Sequence, residues 1–281
     1  MNIQAREIRF EMLRPAQLTT ERARCALVFL PVGPLEYHGP HLPVGTDPLV
    51  ASNVALEACR RLGKGVVMPA LFWGTERERP GWMLESLGMN PDSWVVGMDF
   101  PTATWKSQYA PEHVFGLVVA TQLEMLIACG YRVIVLVNGH GATNHLLTLE
   151  RLSRHYSATT PCLVTGIPPV PIEPPEEGFG GHADRWETSL LLHLQAGLPG
   201  PEPVVDLSAL PPLPAPIHYH EFSVVDGHGF SRHPDPQKIV RDDPRKATAH
   251  DGAGFFDESV RVCIAAAEAG MKAKGLLEAR A

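Results

Sequence analysis

The chain has 281 residues and a mass of 30.7 kDa, long enough to bury roughly 75% of its unfolded surface without staples. Hydrophobic residues make up 44% and charged residues 20%, an ordinary globular balance. The 24 Lys and Arg against 31 Asp and Glu leave a net charge of −7, which argues against nucleic-acid binding and against a polybasic membrane surface.

The opening segment MNIQAREIRFEML lacks the apolar stretch and cleavage site of a signal peptide, and no apolar run approaches the ~20 residues of a membrane span. Residues 26–32 (ALVFLPV) form a short apolar run ending at Gly33, which predicts a strand buried on both faces. Residues 47–63 follow with apolar positions at helical spacing, and 66–70 predict a second strand. A long helix is expected over 111–129, opened by Pro111 and Glu112 and closed by Gly130. Residues 132–137 (RVIVLV) are the clearest buried strand, broken by Asn138-Gly139-His140-Gly141 before a helix over 143–157. A further strand is expected at 162–166, a helix at 186–194 and a long terminal helix within 252–277. Alternation of this kind implies right-handed crossovers and a mainly parallel sheet covered on both faces. Seven prolines in 198–220 predict a surface excursion inside one continuous domain over 1–281, with Leu207, Leu210, Leu213 and Ile217 free to meet a neighbouring subunit. Five scattered cysteines, none spaced as CxxC, read as reduced and mostly buried groups of a cytoplasmic protein.

Three stretches carry chemistry. The first, LPVGPLEYHGPHLPVGTD (30–47), places Glu36, His38, His41 and Asp47 in one loop directly after a buried strand, where open α/β sheets bind ligands. Glu36 and His38 are two apart and face the same side of an extended chain, while Asp47 is distant enough to fold back over them. Any one of these groups alone reads as a solvated loop residue; four in twelve positions read as a site for a divalent zinc, manganese or iron ion. The second stretch, VNGHGATNH (137–145), is a glycine-rich strand-to-helix turn with His140 at its centre. It lacks the Walker lysine and the three-glycine dinucleotide fingerprint, so a ligand or catalytic histidine explains it better than a nucleotide loop. The third, GGHADRWETS (180–189), holds His182 and Glu187. There Asp184 can cap the following helix, and Glu187 can be either a capping carboxylate or a ligand. Neither a GxSxG elbow nor a cysteine beside these loops supports nucleophilic catalysis.

In this order and spacing the three stretches resemble the creatininase (creatinine amidohydrolase) family, with a late echo in Asp243-Pro244-Arg245-Lys246-Ala247-Thr248 and Gly252. The resemblance implies a three-layer α/β/α sandwich, assembled as a homohexamer, with two divalent metals per chain, zinc first and manganese or iron as alternatives. By motif position Glu36, Asp47 and His140 would hold one metal, and His38, Asp47 and Glu187 the other, with His182 as proton shuttle. Creatininase proper takes one carboxylate from the position that is Ala142 here, which cannot ligate; Glu187 replaces it in the manner of other members. The implied activity is hydrolysis of a C–N bond in a small, cyclic or related amide. Peptide-trimming or sugar-ring hydrolysis on the same fold, or a non-catalytic metal- or ligand-binding assembly protein, are the alternatives. Residues 74–82 and the aromatic-rich 90–110 depart from the family pattern and are expected to line or cover the pocket. Arg77, Arg79, Trp82, Arg185 and Trp186 are the candidate substrate contacts, although the surface for the arginines and the core for Trp186 are the commoner outcomes.

Overall fold

The protein is described by a computed structural model covering residues 6–86, 89–100, 103, 105–170, 182–198, 200, 203–210 and 243–276. Strands β1 (Leu27–Val32) and β3 (Val133–Asn138) form the centre of a parallel sheet. They are flanked by β2 (Val66–Val67) and β4 (Leu163–Gly166), in the order β2-β1-β3-β4. Every residue of β1 and β3 is buried, because helices cover both faces. Leu27, Phe29, Val133 and Val135 point to one side and pack on α2 (Thr46–Leu62), α6 (Arg185–Leu194) and α7 (Ala249–Ala273). Val28, Leu30, Ile134 and Leu136 point to the other, against α4 (Glu112–Ala128) and α5 (Thr143–Thr159). The result is the expected three-layer α/β/α arrangement. No helix among the described residues is long and apolar enough to cross a membrane.

Two expectations shift in detail. The second strand ends at Val67 instead of Ala70, because Pro69 has no N–H to extend the ladder. The same gap accommodates Pro31 inside a central strand: its carbonyl accepts from Leu71 N at 2.9 Å, and its missing donor faces the point where β2 has already stopped. Helices α1 (Pro15–Arg24) and α3 (Gly81–Ser86) were not expected. Helix α1 buries none of its residues, so it carries no apolar period; Pro15 at its start and the bond from Arg14 N to Gln17 Oε1 at 3.0 Å are its only sequence-level marks.

The excursion after Gly197 also behaves differently from the expectation. Val205 and Leu210 are buried, and Val204 and Leu207 pack against the chain's own core, so these positions are not held out for a neighbouring subunit. Leu213 and Ile217 lie outside the described residues. Four of the five cysteines are buried and all five are free.

What positions the site is the register of β1 on β3. Val32 lies opposite Asn138, so the chain leaves the sheet at Gly33 and Gly139 side by side. The first turn of α2 sits directly on both glycines. A Cβ on Gly139 would lie 2.3 Å from the Asp47 carbonyl oxygen, and one on Gly33 would lie 2.7 Å from Asp47 Cβ. Gly139→Ala should therefore cost about 1–3 kcal/mol, the range for overpacking a tight interior. Urea unfolding measures it, and an unchanged midpoint would show that α2 is not seated there.

Candidate active site

Each acid and imidazole of the site comes from a strand end or a helix start at the carboxyl edge of the sheet. Glu36 and His38 follow β1, Asp47 opens α2, His140 follows β3, and Glu187 lies in the first turn of α6. His38 Nε2 lies 3.0 Å from Asp47 Oδ1 and 3.8 Å from Glu187 Oε1. His140 Nδ1 lies 3.0 Å from Glu36 Oε2 and 3.2 Å from Asp47 Oδ2. The structure thus brings together two groups, Glu36/Asp47/His140 and His38/Asp47/Glu187, each within 4.8 Å and sharing Asp47. His182 joins Glu36 and His38 in a third such group.

Three carboxylates in this space need positive charge, and no Lys or Arg among the described residues forms an ion pair with any of them. The imidazoles answer that need. Burial pulls the His38 pKa down, but Asp47 and Glu187 outweigh it and hold the group at about 10. His140 is likewise raised against its burial, chiefly by Glu36 and Asp47. Burial opposes ionisation of Glu36, yet His140 and His182 keep it well below the usual carboxylate range. Glu187 is pushed up to about 8, first by burial and then, against the pull of His38, by Asp184 and Asp47.

Among the described residues, His38 Nε2 and Asp47 Oδ2 find no hydrogen-bond partner, although each stands at ion-pair distance from an opposite charge. They approach those charges without aligning as donor and acceptor, inside groups whose ligand atoms lie within 4.8 Å of one another. Carboxylate oxygens and imidazole nitrogens converging in this way fit a divalent cation.

The two oxygens of Glu187 have different neighbours. Oε2 accepts from the Ala183 N–H, one residue outside the usual capping-box position, while Oε1 faces His38. Asp184 is the N-cap, accepting from Trp186 N at 2.9 Å and Glu187 N at 3.2 Å. Ala183, between His182 and this cap, sits at φ 54°, a left-handed conformation that a non-glycine residue adopts at a cost of about 1–2 kcal/mol. The strain turns His182 toward His38, ring centroids 4.2 Å apart, with Nε2 hydrogen-bonded to the Tyr37 carbonyl. Burial first, and then the neighbouring His38, lower the His182 pKa to about 4.

Other buried groups brace these residues. Asn138 Oδ1 accepts from His140 N and pairs with His145 Nε2, both at 3.0 Å, and Asn138 Nδ2 donates to His140 O at 2.7 Å. His145 stacks on Phe115 with ring centroids 4.4 Å apart. His41 is not in any of the three groups; its Nε2 meets Thr188 Oγ1 at 2.9 Å and ties the first loop to α6. Tyr109, which sequence reasoning missed, donates its hydroxyl to Glu36 Oε1. Its only signal was its place in the aromatic-rich 90–110 stretch.

The candidate substrate contacts divide. Trp186 is a core residue, 2% exposed and packed on Phe255, which removes it as a substrate platform. Arg185 pairs with Asp251 at 2.7 Å on α7, and Arg79 with Glu76 at 3.1 Å and the Gly97 carbonyl at 2.8 Å. Arg77 and Trp82 are exposed.

A parallel α/β sheet with buried acids and imidazoles gathered where its strands end is the architecture of a metal-dependent hydrolase. The chain belongs to the creatininase family: the family model described as creatinine amidohydrolase matches residues 11–267. Among curated proteins, it is 27% identical over 260 residues to the mycofactocin precursor peptide peptidase of Mycobacterium tuberculosis, with 84% of this chain and 82% of that one covered. The protein of the same name from Mycolicibacterium smegmatis is 26% identical over 248 residues, with the same coverage. In fold it matches a crystal structure of creatininase at 22% identity and a TM-score of 0.64, covering 95% of this chain and 98% of that one. A creatinine amidohydrolase homologue from Bacteroides fragilis matches at 19% identity and a TM-score of 0.63, with 94% and 96% covered.

Proposed function

We propose that this chain hydrolyses an amide C–N bond with two divalent cations, one held by Glu36, Asp47 and His140, the other by His38, Asp47 and Glu187. The observation that carries the reading is Asp47, whose two oxygens each approach a different imidazole. When bound, a pair of such cations, zinc first and manganese or iron as alternatives, would supply Lewis-acid activation of water and of the carbonyl under attack. Asp47 orients both halves of the site from the first turn of α2. Asn138 and His145 hold the His140 loop, and the His41–Thr188 bond holds α6 against the loop that carries His38. His182, neutral at pH 7 with Nε2 engaged on the Tyr37 carbonyl, has Nδ1 available to take a proton and deliver it to the departing nitrogen.

For the substrate, the resemblance to creatininase supports a small cyclic or related amide. A second reading, removal of residues from a peptide, is favoured by the curated relatives named above. Turnover of a panel of lactams, hydantoins and formamides set beside short peptides decides between them. Activity on peptides alone would sink the cyclic-amide reading, and activity on neither set with full metal content would favour a binding protein.

Glu187→Gln separates its two roles. The amide oxygen can still accept from Ala183 N, so the melting temperature of the metal-free protein should stay close to wild type. The anionic ligand is gone, so metal content should fall from two per chain to one. Unchanged stoichiometry would return Glu187 to capping alone.

A further inference from the structure

We propose that Tyr109 is a positioning residue for Glu36, holding Oε1 so that Oε2 alone is presented to the cation position shared with Asp47 and His140. The proposal rests on the two-cation reading above and adds a residue from the aromatic-rich 90–110 segment.

The geometry confines the phenol closely. Its hydroxyl donates to Glu36 Oε1 and accepts from Met98 N at 3.2 Å, so both hydrogen-bonding directions are occupied. The chain on either side is fastened to the residues flanking Glu36. Gln108 N donates to Leu35 O at 2.7 Å, and Tyr37 N donates to Ser107 Oγ at 2.9 Å. One residue further, Ala110 N donates to Gly74 O at 2.9 Å. Segment 107–110 therefore runs alongside 35–37, with Tyr109 and Glu36 facing each other across it. Gly97 leaves room for the ring: at φ 55° it adopts a backbone conformation suited to glycine, and a Cβ there would lie 2.6 Å from the Tyr109 ring.

The consequence is a division of labour between the two oxygens of Glu36. Oε1 is taken by the Tyr109 hydroxyl. Oε2 is the oxygen that lies 3.0 Å from His140 Nδ1. A carboxylate held in this way cannot swing to chelate a cation with both oxygens, and its free oxygen stays aimed at one point. Hydrogen bonds that orient a ligating carboxylate are typically worth 10–100-fold in metal affinity.

Zinc is the probe, used on the full chain. In Tyr109→Phe, graded chelator competition should show one of two zinc ions held 10–100-fold more weakly and the other unchanged. Glu36→Gln supplies the reference, since it should lose that same zinc. If Glu36→Gln keeps both ions, the assignment of Glu36 as a ligand in the proposed function fails, whatever Tyr109 does. If Glu36→Gln loses one while Tyr109→Phe holds both as tightly as wild type, the Tyr109 proposal is overturned. A crystal structure of the zinc-loaded wild type gives an answer that does not depend on the variant folding. Glu36 ligating through Oε2, with Tyr109 still on Oε1, is the expected result; Glu36 chelating through both oxygens overturns the proposal.

Discussion

Asp47→Ala is expected to bring metal content from two ions per chain to none and to abolish turnover. Each of its oxygens serves a different group, Oδ1 beside His38 and Oδ2 beside His140, so one truncation removes a ligand from both. Metal-supplied stabilisation of developing charge is worth several kcal/mol. At 1.36 kcal/mol per decade that is a loss on the order of 10³-fold or more in kcat. Elemental analysis of the purified variant and a turnover assay measure the two effects. Circular dichroism should show an intact sheet, because the glycines under α2 pack against the backbone and Cβ of residue 47, which alanine keeps. A variant that retains both ions would sink the shared-carboxylate arrangement.

His182→Ala should leave both ions in place and cut kcat, since general acid–base groups contribute typically 10²–10⁴-fold. The loss belongs on kcat and not on substrate binding, because proton transfer is made in the transition state. The charged residues that follow His182 in sequence are occupied elsewhere: Asp184 caps α6 and Arg185 pairs with Asp251. The structure introduces a different competitor, because His182 lies within 4.8 Å of the ligand atoms of Glu36 and His38. Metal analysis of the same variant resolves this. Loss of one ion would make His182 a ligand, and near-normal kcat with both ions would leave it a loop histidine whose role is to hold Tyr37.

Much of this architecture was legible before any coordinates. The apolar runs at 26–32 and 132–137 read as strands buried on both sides, and the long helices α2 and α4 between them followed from their spacing. The first two polar stretches were identifiable because acids and imidazoles directly after a buried strand are costly unless they bind something. Helix α1 was hidden because a helix that buries none of its residues writes no period into its sequence. The span of β2 was overestimated because the proline that ends it lies within an apolar run.

What the sequence determined by itself was the parallel α/β class and the identity of the groups at the carboxyl edge, since both depend on residue type and local order. Which oxygen of Glu187 caps and which faces His38, that Asp47 stands between two imidazoles, and that Tyr109 reaches Glu36 were decided only by tertiary structure. Those facts depend on the register of β1 against β3, on two glycines small enough to admit the first turn of α2, and on a segment 73 residues away in the chain closing over the loop. No local pattern encodes such contacts, because each is a distance between residues far apart in the chain, fixed when the helices pack onto the sheet.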